Sequence, residues 1–545
     1  MRRAWLLIVI AACGGAAQRP FPLRDPLTVD DDMKPFAHKP AEYFSPFAWD
    51  QIDSSFFAPL SHVLSARVEN EAANYNALDE VADSSWFTNR IGVRRLTPEE
   101  LALGACKPED FLPSEHPPGA WVIDHGKDNG SSAGFRIKVE GKGKYLLKGD
   151  ESAKPERNSA AAVIGAALYH AAGYNTTCEQ IVEVTREELT LKPNLVVVDN
   201  RGFKKPFDEA ALRVVLSTTT QHNGASRMQA SKWLDGKPLG PFRYAGTRDD
   251  DFNDVVPHED RRELRGSRLL AAWVHHWDAR EQNSMDMWVT TDPKDEHAPG
   301  FVRHYLLDTS DIFGQTINPH SAGSRLGFSY IVDFGDMFLD LFTLGVLEHP
   351  WDRVQVQPKR EKFGFFSTRD FDPETWVGAY PNQAFIKATE RDDAWMARII
   401  ARFTEDDLRA LIATGHFADP GDAEYLLEVL LARQKIILAR YLTRLSPLAD
   451  VIVDNGKICA LDLARLRHVL PDARFRYRVT RGGAPLDAEA TPDAHVCFTP
   501  PARGDGALAI FTIDNGTGAG PLEIHTYDTS DRGFRVVGLV RPEPR

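Results

Sequence analysis

The chain has 545 residues, 43% of them hydrophobic and 26% charged, with a net charge of −14 and a pI of about 5.7. This composition belongs to a globular protein of two to four domains and excludes an extended disordered chain. The acidic balance excludes a nucleic-acid reader, which would carry a basic face, but leaves room for a nucleotide held by a few local Lys and Arg residues.

The N-terminus reads as a targeting segment. Met1-Arg2-Arg3 is a charged start, and residues 4–12 form an apolar run too short to cross a bilayer core of ~30 Å. Ile10-Ala11-Ala12-Cys13 resembles a bacterial lipobox. That resemblance implies that residues 1–12 are a cleaved signal peptide and that Cys13 carries a lipid. Gly14 in place of Asp implies, by analogy with enteric bacteria, the outer membrane. The expected location is the bacterial cell envelope, with the membrane reached through the lipid anchor; an ordinary signal peptide with an incidental Cys is the plainer alternative. Residues 13–40 are rich in Pro, Asp and Lys and read as a flexible tether. Four further cysteines follow. In an exported chain Cys459 and Cys497 could pair, while Cys106 and Cys178 could pair or stay as buried thiols. No C-x-x-C pattern points to structural zinc.

Residues 41–118 form an N-terminal extension, helical in the middle of SSFFAPLSHVLSARVENEAANYNALDEV. Thr97-Pro98-Glu99-Glu100 is a helix start, with an N-cap, a first-turn proline and a Glu three residues on. From residue 119 the pattern turns to β. AWVIDHG, GFRIKVEG and GKYLLKGD are three short strands with Gly-rich turns. The loop Gly130-Ser131-Ser132-Ala133-Gly134 can bring backbone N–H groups close to phosphates, a simple hairpin turn being the plainer reading. Tyr145-Leu146-Leu147-Lys148 sets a lysine on an apolar strand, where it needs an anionic partner. Glu156 opens the Ala-rich helix AAAVIGAALYHAAG and either reaches back to Lys148 or only stabilises the helix N-terminus. CEQIVEV is a further strand. LRVVLSTTTQHNGASRMQASKWL reads as two strands leading to a hinge at Asp235-Gly236.

A helix built on RRELRGSRLLAAWVHHW then ends in His276-Trp277-Asp278. Asn283 comes five residues after Asp278. MWVTT and FVRHYLL flank a polar insert, and the second run delivers Asp308. The order suits phosphoryl transfer: one Asp orients or deprotonates an acceptor, while the Asn and the second Asp hold divalent ions that bridge nucleotide phosphates. Asp311-Ile312-Phe313-Gly314 is a rival to Asp308. The plainer reading is a helix end and a hairpin, with Asp278 as a cap and Asp308 at a strand terminus. A metal hydrolase built on His275, His276, His304 and the two Asp residues lacks any recognised zinc spacing. FSYIVDFGDMFLDLFTLGVLEHPW reads as a buried helix or pair of helices, because Asp333, Asp336 and Asp340 interrupt it as a membrane span. Three amphipathic helices follow, with N-caps at Thr404 and Asp419. Residues 447–545 alternate with period two in short runs and read as a β-sandwich-like module.

Taken in order, Lys148, Glu156, Asp278, Asn283 and Asp308 resemble the protein-kinase-like superfamily, closest to its HipA-type and lipid-kinase-like branches. Residues ~60–445 also resemble a group of bacterial exported lipoproteins sharing SSWFTNRIG, AGYN, GKPLGPF and WVGAYPNQAF. The resemblance implies an α+β fold class: a two-lobed protein-kinase-like fold with an N-terminal helical extension and a C-terminal β-sandwich-like domain. The N-lobe would span 119–238 and the helical C-lobe 239–446. It implies ATP or another nucleotide, with Mg²⁺ or Mn²⁺, bound between the lobes. Lys148 would hold phosphates and Glu156 would orient it, with Gly130, Ser131, Ser132 and Gly134 over the phosphates. Asp278 would be the catalytic residue, Asn283 and Asp308 metal ligands, and His276 structural; the acceptor is open. Asp308 lacks the usual Phe and Gly after it, and the glycine loop is not G-x-G-x-x-G. Both departures leave room for a catalytically inactive binding or scaffold protein.

Overall fold

The computed structural model describes residues 21–64, 70–114, 116–127, 132–150, 152, 154–199, 202–295, 297–314, 326–353, 358–369, 371–501, 504–529 and 533–544. The signal peptide, Cys13, Gly130 and Ser131 lie outside these residues.

Residues 21–45 are a docked strap, where the sequence suggests a loose tether. Val29 bridges to Asp83 and Phe36 to Gly300, and Asp32 is buried. Its carboxylate accepts the Ser85 backbone N–H at 2.9 Å and the Ser85 hydroxyl at 2.7 Å, which satisfies a charge that could not otherwise leave water. Helical turns follow as α1 (Phe47–Ile52), a π-helical turn (Asp53–Phe57) and α2 (Ala58–Leu64). Helix α3 (Pro98–Leu103) opens with the expected capping box between Thr97 and Glu100.

The next part is an antiparallel sheet with one parallel edge pairing. It comprises β1 (Trp121–Gly126), β2 (Gly134–Val139), β3 (Gly143–Gly149), β4 (Glu179–Val184), β5 (Leu189–Leu191), β8 (Gln221–His222) and β9 (Ala225–Lys232), while β6 (Val196–Val198) and β7 (Lys204–Pro206) form a separate hairpin. The order is β4-β9-β3-β2-β1-β5, with β8 on β9. Between β3 and β4 runs α4 (Arg157–Ala172), buried on nearly every side, as its Ala-rich sequence allows. Residues 209–218, read from sequence as part of a strand, form α5 (Glu209–Thr218) instead. The Asp208 carboxylate caps it, accepting the N–H groups of Ala210 and Ala211 at 3.0 Å each. Leu212 and Val215 then bury against the same core as Tyr145 and Leu147, so packing and a cap override the β-branched run.

The helical part begins after β10 (Lys237–Gly240) with α6 (Arg262–Val274), whose end leads to the hairpin β11 (Ser284–Thr290) and β12 (Gly300–Leu306). It continues through α7 (Phe334–Thr343), α8 (Gln383–Ile386), α9 (Glu390–Ile400), α10 (Glu405–Ala413) and α11 (Pro420–Tyr441). Thr404 and Asp419 cap α10 and α11 as read from sequence. Helix α7 departs from the expectation of a buried helix. It rests on the α2 region, with Phe334 edge-on to Phe56 at 5.5 Å, and leaves Phe342 83% and Leu344 86% exposed. Among the described residues no helix is long and apolar enough to cross a membrane.

The C-terminal part is a two-sheet sandwich. One sheet is β13 (Leu448–Asp454), β14 (Lys457–Asp462), β17 (Ala488–Ala490) and β18 (His495–Phe498); the other is β15 (Arg478–Arg481), β16 (Ala484–Leu486), β19 (Asp505–Asp514), β20 (Leu522–Thr529) and β21 (Gly533–Val540). Ile458 and Phe498 from one sheet meet Phe511 and Ile524 from the other in a shared core. Cys459 and Cys497 stand opposite each other on β14 and β18 and form a disulfide. Cys106 and Cys178 form a second, tying the extension to the start of β4.

One buried carboxylate joins three of these parts. Asp79, in the extension, meets Arg262 of α6 at 2.5 Å, Arg541 after β21 at 2.6 Å and Arg398 of α9 at 3.6 Å. Burial works against its charge, but Arg262, Arg541 and Arg398 outweigh it and hold the carboxyl well below the usual carboxylate range. Asp79→Asn should therefore destabilise the protein by about 3–5 kcal/mol at neutral pH, because three buried guanidinium groups lose a shared counter-charge and, among the described residues, only Arg262 and Arg398 keep another, Asp392 and Glu80. Urea unfolding checks this. The stabilisation is present above the ordinary carboxyl value of ~3.9 and fades as pH falls below it, so the gap to wild type should narrow in acid.

A cleft between the sheet and the helical part

Strand β3 alternates strictly. Tyr145 and Leu147 face the core, so Leu146 and Lys148 face the other way, into a cleft of about 480 Å³ between the sheet and the helical part. The Lys148 side chain is 12% exposed and meets Asp308 at 2.9 Å. Burial opposes its charge, but Asp308 and then Glu179 outweigh that and hold the ammonium above its ordinary value. An apolar slot continues the cleft, lined by Leu146, Trp233, Leu234, Met285, Met287 and Leu307. Trp233 and Leu234 belong to the turn between β9 and β10 that the sequence marks as a hinge.

The opposite wall comes from the end of α6. His275 takes a left-handed conformation (φ 56°) that ends the helix and starts the loop carrying His276, Trp277 and Asp278. Asn283 donates from its amide nitrogen to the Asp278 carbonyl at 2.7 Å and its carboxylate at 3.2 Å. The hairpin register then decides where Asp308 falls. Ser284 pairs with Leu306, and the Leu307 N–H donates to the Asn283 carbonyl at 2.8 Å, which brings Asp308 beside the Asp278 loop whatever the length of the tip. The segment after Asp308 lies on α4. Thr309 donates to the Ala162 carbonyl at 3.0 Å, and a Cβ at Gly165 would stand 2.6 Å from the Thr309 hydroxyl, so only glycine permits this approach.

The carboxyls of the cleft are pushed apart in acidity. Burial would raise Asp308, but Lys148 and then Ser310 outweigh it and hold it ionised, well below the usual range. Burial pushes Asp278 up to about 7 against the pull of Arg280, with Asp311 adding repulsion. Burial raises Asp311 likewise to about 7, and Asp308 adds to it. Asp311 accepts the Asp278 backbone N–H at 2.6 Å and stands 3.5 Å from His276, whose other ring nitrogen meets the Tyr169 hydroxyl at 2.9 Å. Burial pushes the His276 imidazole down to about 4, which keeps it neutral. Carboxyls poised near neutrality, an ionised carboxylate and a lysine thus share one cleft.

Lys148, Asp278, Asn283, Asp308 and Ser132 all line this cleft. Gly134 lies on β2 opposite Lys148, its backbone packed so close to the Leu147 carbonyl that no side chain fits. Glu156 is not the partner of Lys148. It stands at the N-cap position of α4 in a left-handed conformation, where the Asp150 carboxylate accepts N–H groups of the first helical turn, and pairs with Lys362 at 2.9 Å and His222 at 3.5 Å. Besides Asp308, the acid acting on Lys148 is Glu179 at the start of β4, buried and held by Ser231, Thr177 and Gln229. Sequence reasoning also missed Lys127, which lines the cleft and donates to the Ser132 carbonyl at 2.8 Å; burial and then Lys148 press its ammonium down to about 8. Phe44 and Asp50 of the extension reach the same cleft, although the extension carries no chemical motif. Asp311, the rival in sequence, braces the Asp278 loop instead of pairing with Lys148.

The three histidines of the hydrolase alternative do not converge. His275 meets the Trp376 indole at 3.1 Å, His276 meets Tyr169, and His304 meets Asp286 at 2.7 Å. Among the described residues, no group of three or more His, Cys, Asp and Glu side chains is arranged to hold a metal ion. No family model matches the chain, and no curated protein or solved structure matches it either. What the cleft can do follows from its own geometry.

The carboxyl pair has a signature in pH. A group whose folded value stands above its unfolded value stabilises the fold in acid and loses that contribution as pH rises through the folded value. Wild-type stability should therefore carry a falling component between about pH 4 and pH 7 from Asp278 and Asp311. Asp311→Asn keeps an acceptor for the Asp278 N–H and removes one charge. It should flatten that fall by roughly 1–3 kcal/mol, read from urea midpoints across pH.

Proposed function

We propose that the cleft binds a nucleoside triphosphate and transfers its terminal phosphoryl group to an acceptor hydroxyl, on a two-lobed protein-kinase-like fold. The observation that carries this reading is the Lys148–Asp308 ion pair, set beside Asp278 and Asn283 at the mouth of an apolar slot. The slot suits a flat base, and Lys148 and Lys127 suit its phosphates. Asn283 offers an amide oxygen and Asp308 an ionised carboxylate. Two hard oxygen donors fit Mg²⁺ or Mn²⁺, which take the rest of their shell from phosphate and water. When bound, the ion would offset charge on the phosphates. A value near neutrality lets Asp278 accept the acceptor's proton as the new O–P bond forms and the bridging P–O bond to the diphosphate breaks. Arg280, 2.9 Å from Asp278, orients that carboxyl.

The lipobox resemblance adds the proposal of an envelope lipoprotein anchored at Cys13, with the outer membrane as its site. A second reading, a nucleotide-binding scaffold without turnover, is favoured by the engagement of Glu156 with Lys362 and away from Lys148.

Calorimetric titration of the chain from Gly14 onward with ATP and Mg²⁺ tests both. Binding should weaken at least tenfold in Lys148→Ala and in Asp308→Ala, with the fold checked by circular dichroism. Binding without any ATP consumption would select the scaffold. Absence of nucleotide binding in the wild-type chain would sink both.

A further inference from the structure

Behind the Asp278 loop lies a second cavity, of about 280 Å³, beneath the WVGAYPNQAF segment. The segment is tied to the loop. The Ala379 N–H donates to the Trp277 carbonyl at 2.7 Å, and the Arg280 guanidinium sits 4.9 Å from the Tyr380 ring. Half-buried rings of Tyr330, Tyr380 and Phe385 make its apolar wall. The polar wall holds two arginines and three carboxylates. Arg440 pairs with Glu374 at 2.5 Å and Glu390 at 2.8 Å, and Arg268 with Asp393 at 2.5 Å.

This wall selects a ligand class. Both arginines are neutralised by carboxylates, and Arg444, which does not line the cavity, pairs with Glu390 at 3.3 Å, so no positive charge is left over and an anion such as a phosphate gains nothing there. A purely apolar ligand would strip water from five charges without replacing its hydrogen bonds. A cation meets Tyr380 and Tyr441 rings already facing Arg280 at 4.9 Å and Arg440 at 4.6 Å. What remains is a neutral molecule with an apolar face and many hydroxyls. Carboxylates keep lone pairs to accept from hydroxyls after pairing with arginine, and Asn382 and Thr389 line the same space. We propose that this cavity binds a pyranose sugar, its C–H face on Phe385 and Tyr330 and its hydroxyls on Glu374 and Glu390. The volume, just under the ~300 Å³ of small-molecule pockets, suits one ring. The proposal stands apart from the nucleotide reading of the cleft, although Arg280 of the cleft touches Tyr380 of the cavity.

Saturation-transfer NMR on the folded chain from Gly14 onward, with glucose, galactose, mannose and N-acetylglucosamine as probes and choline as a cationic control, tests it. Transfer to the ring protons of at least one sugar is expected. Ala388→Trp fills the cavity from its half-buried rim and should weaken that sugar at least tenfold, as should Phe385→Ala, whereas Lys148→Ala in the cleft should leave it unchanged. Silence from all four sugars would overturn the proposal. So would a sugar signal indifferent to both cavity variants, or a choline signal in place of a sugar.

Discussion

A carboxylate with three guanidinium groups around it, all out of water, holds the parts of this protein in register. Asp79 belongs to an extension without chemistry of its own, yet Arg262, Arg398 and Arg541 reach it from α6, α9 and the chain's C-terminal end. Taking such charges from water is costly, and the attraction between them repays that cost only when every partner is in place. The arrangement thus favours one assembly of extension, helices and sandwich over looser alternatives. Its neighbours continue the pattern along α6, where Arg265 meets Asp392 at 3.4 Å and Arg268 meets Asp393 at 2.5 Å. These pairs fix the rotation of α6 against α9. The rotation of α6 in turn sets where its last residue turns left-handed and sends Asp278 into the cleft.

From there the cleft is assembled by register. An antiparallel hairpin returns to its starting point, so the residue before β11 and the residues after β12 must be neighbours. Asn283 and Asp308 meet for that reason, and the polar insert between the strands is spent at the far tip, where added length costs little. Lys148 arrives from a different direction through the two-residue period of β3, and Gly165 lets the strand's successor settle on α4. Three local rules of backbone geometry, none specific to a reaction, bring the charged groups together.

The electrostatics of the cleft follow from unequal partners. Asp308 has a lysine and stays ionised; Asp278 has Arg280 and Asn283, Asp311 accepts the Asp278 N–H, and burial with mutual repulsion still raises both towards neutrality. Separation of acidity between neighbouring carboxyls is what proton-transfer chemistry needs. Helix α7 packs on the α2 region while Phe342 and its C-cap Leu344 stay exposed, so the acidic chain also presents an apolar face near the cleft-lining extension.

Features that depend on near neighbours along the chain can be read from residue order alone. The capping box at Thr97, the N-cap at Thr404, the period-two strands of the sandwich, the lysine on β3 and the Asp278-Asn283-hairpin-Asp308 order were legible because each is set within a few residues or by a strand's alternation. Cys459 with Cys497 was legible as a possibility, and the register of β14 on β18 realised it. The tertiary structure alone decided partners and exposure. It gave Lys148 to Asp308 and Glu179 and sent Glu156 to Lys362; it docked residues 21–45 through Asp32; it turned residues 209–218 into α5; and it left α7 outside the core. Asp79 and Lys127 carry no local signal at all, and the D-x-F-G-like run at Asp311 gave no hint of its bracing role, because a charge is silent in sequence until the fold supplies its partner. Backbone geometry is a short-range property and can be read in order along a chain, whereas the pairing of buried charges is settled only when segments hundreds of residues apart exclude water together.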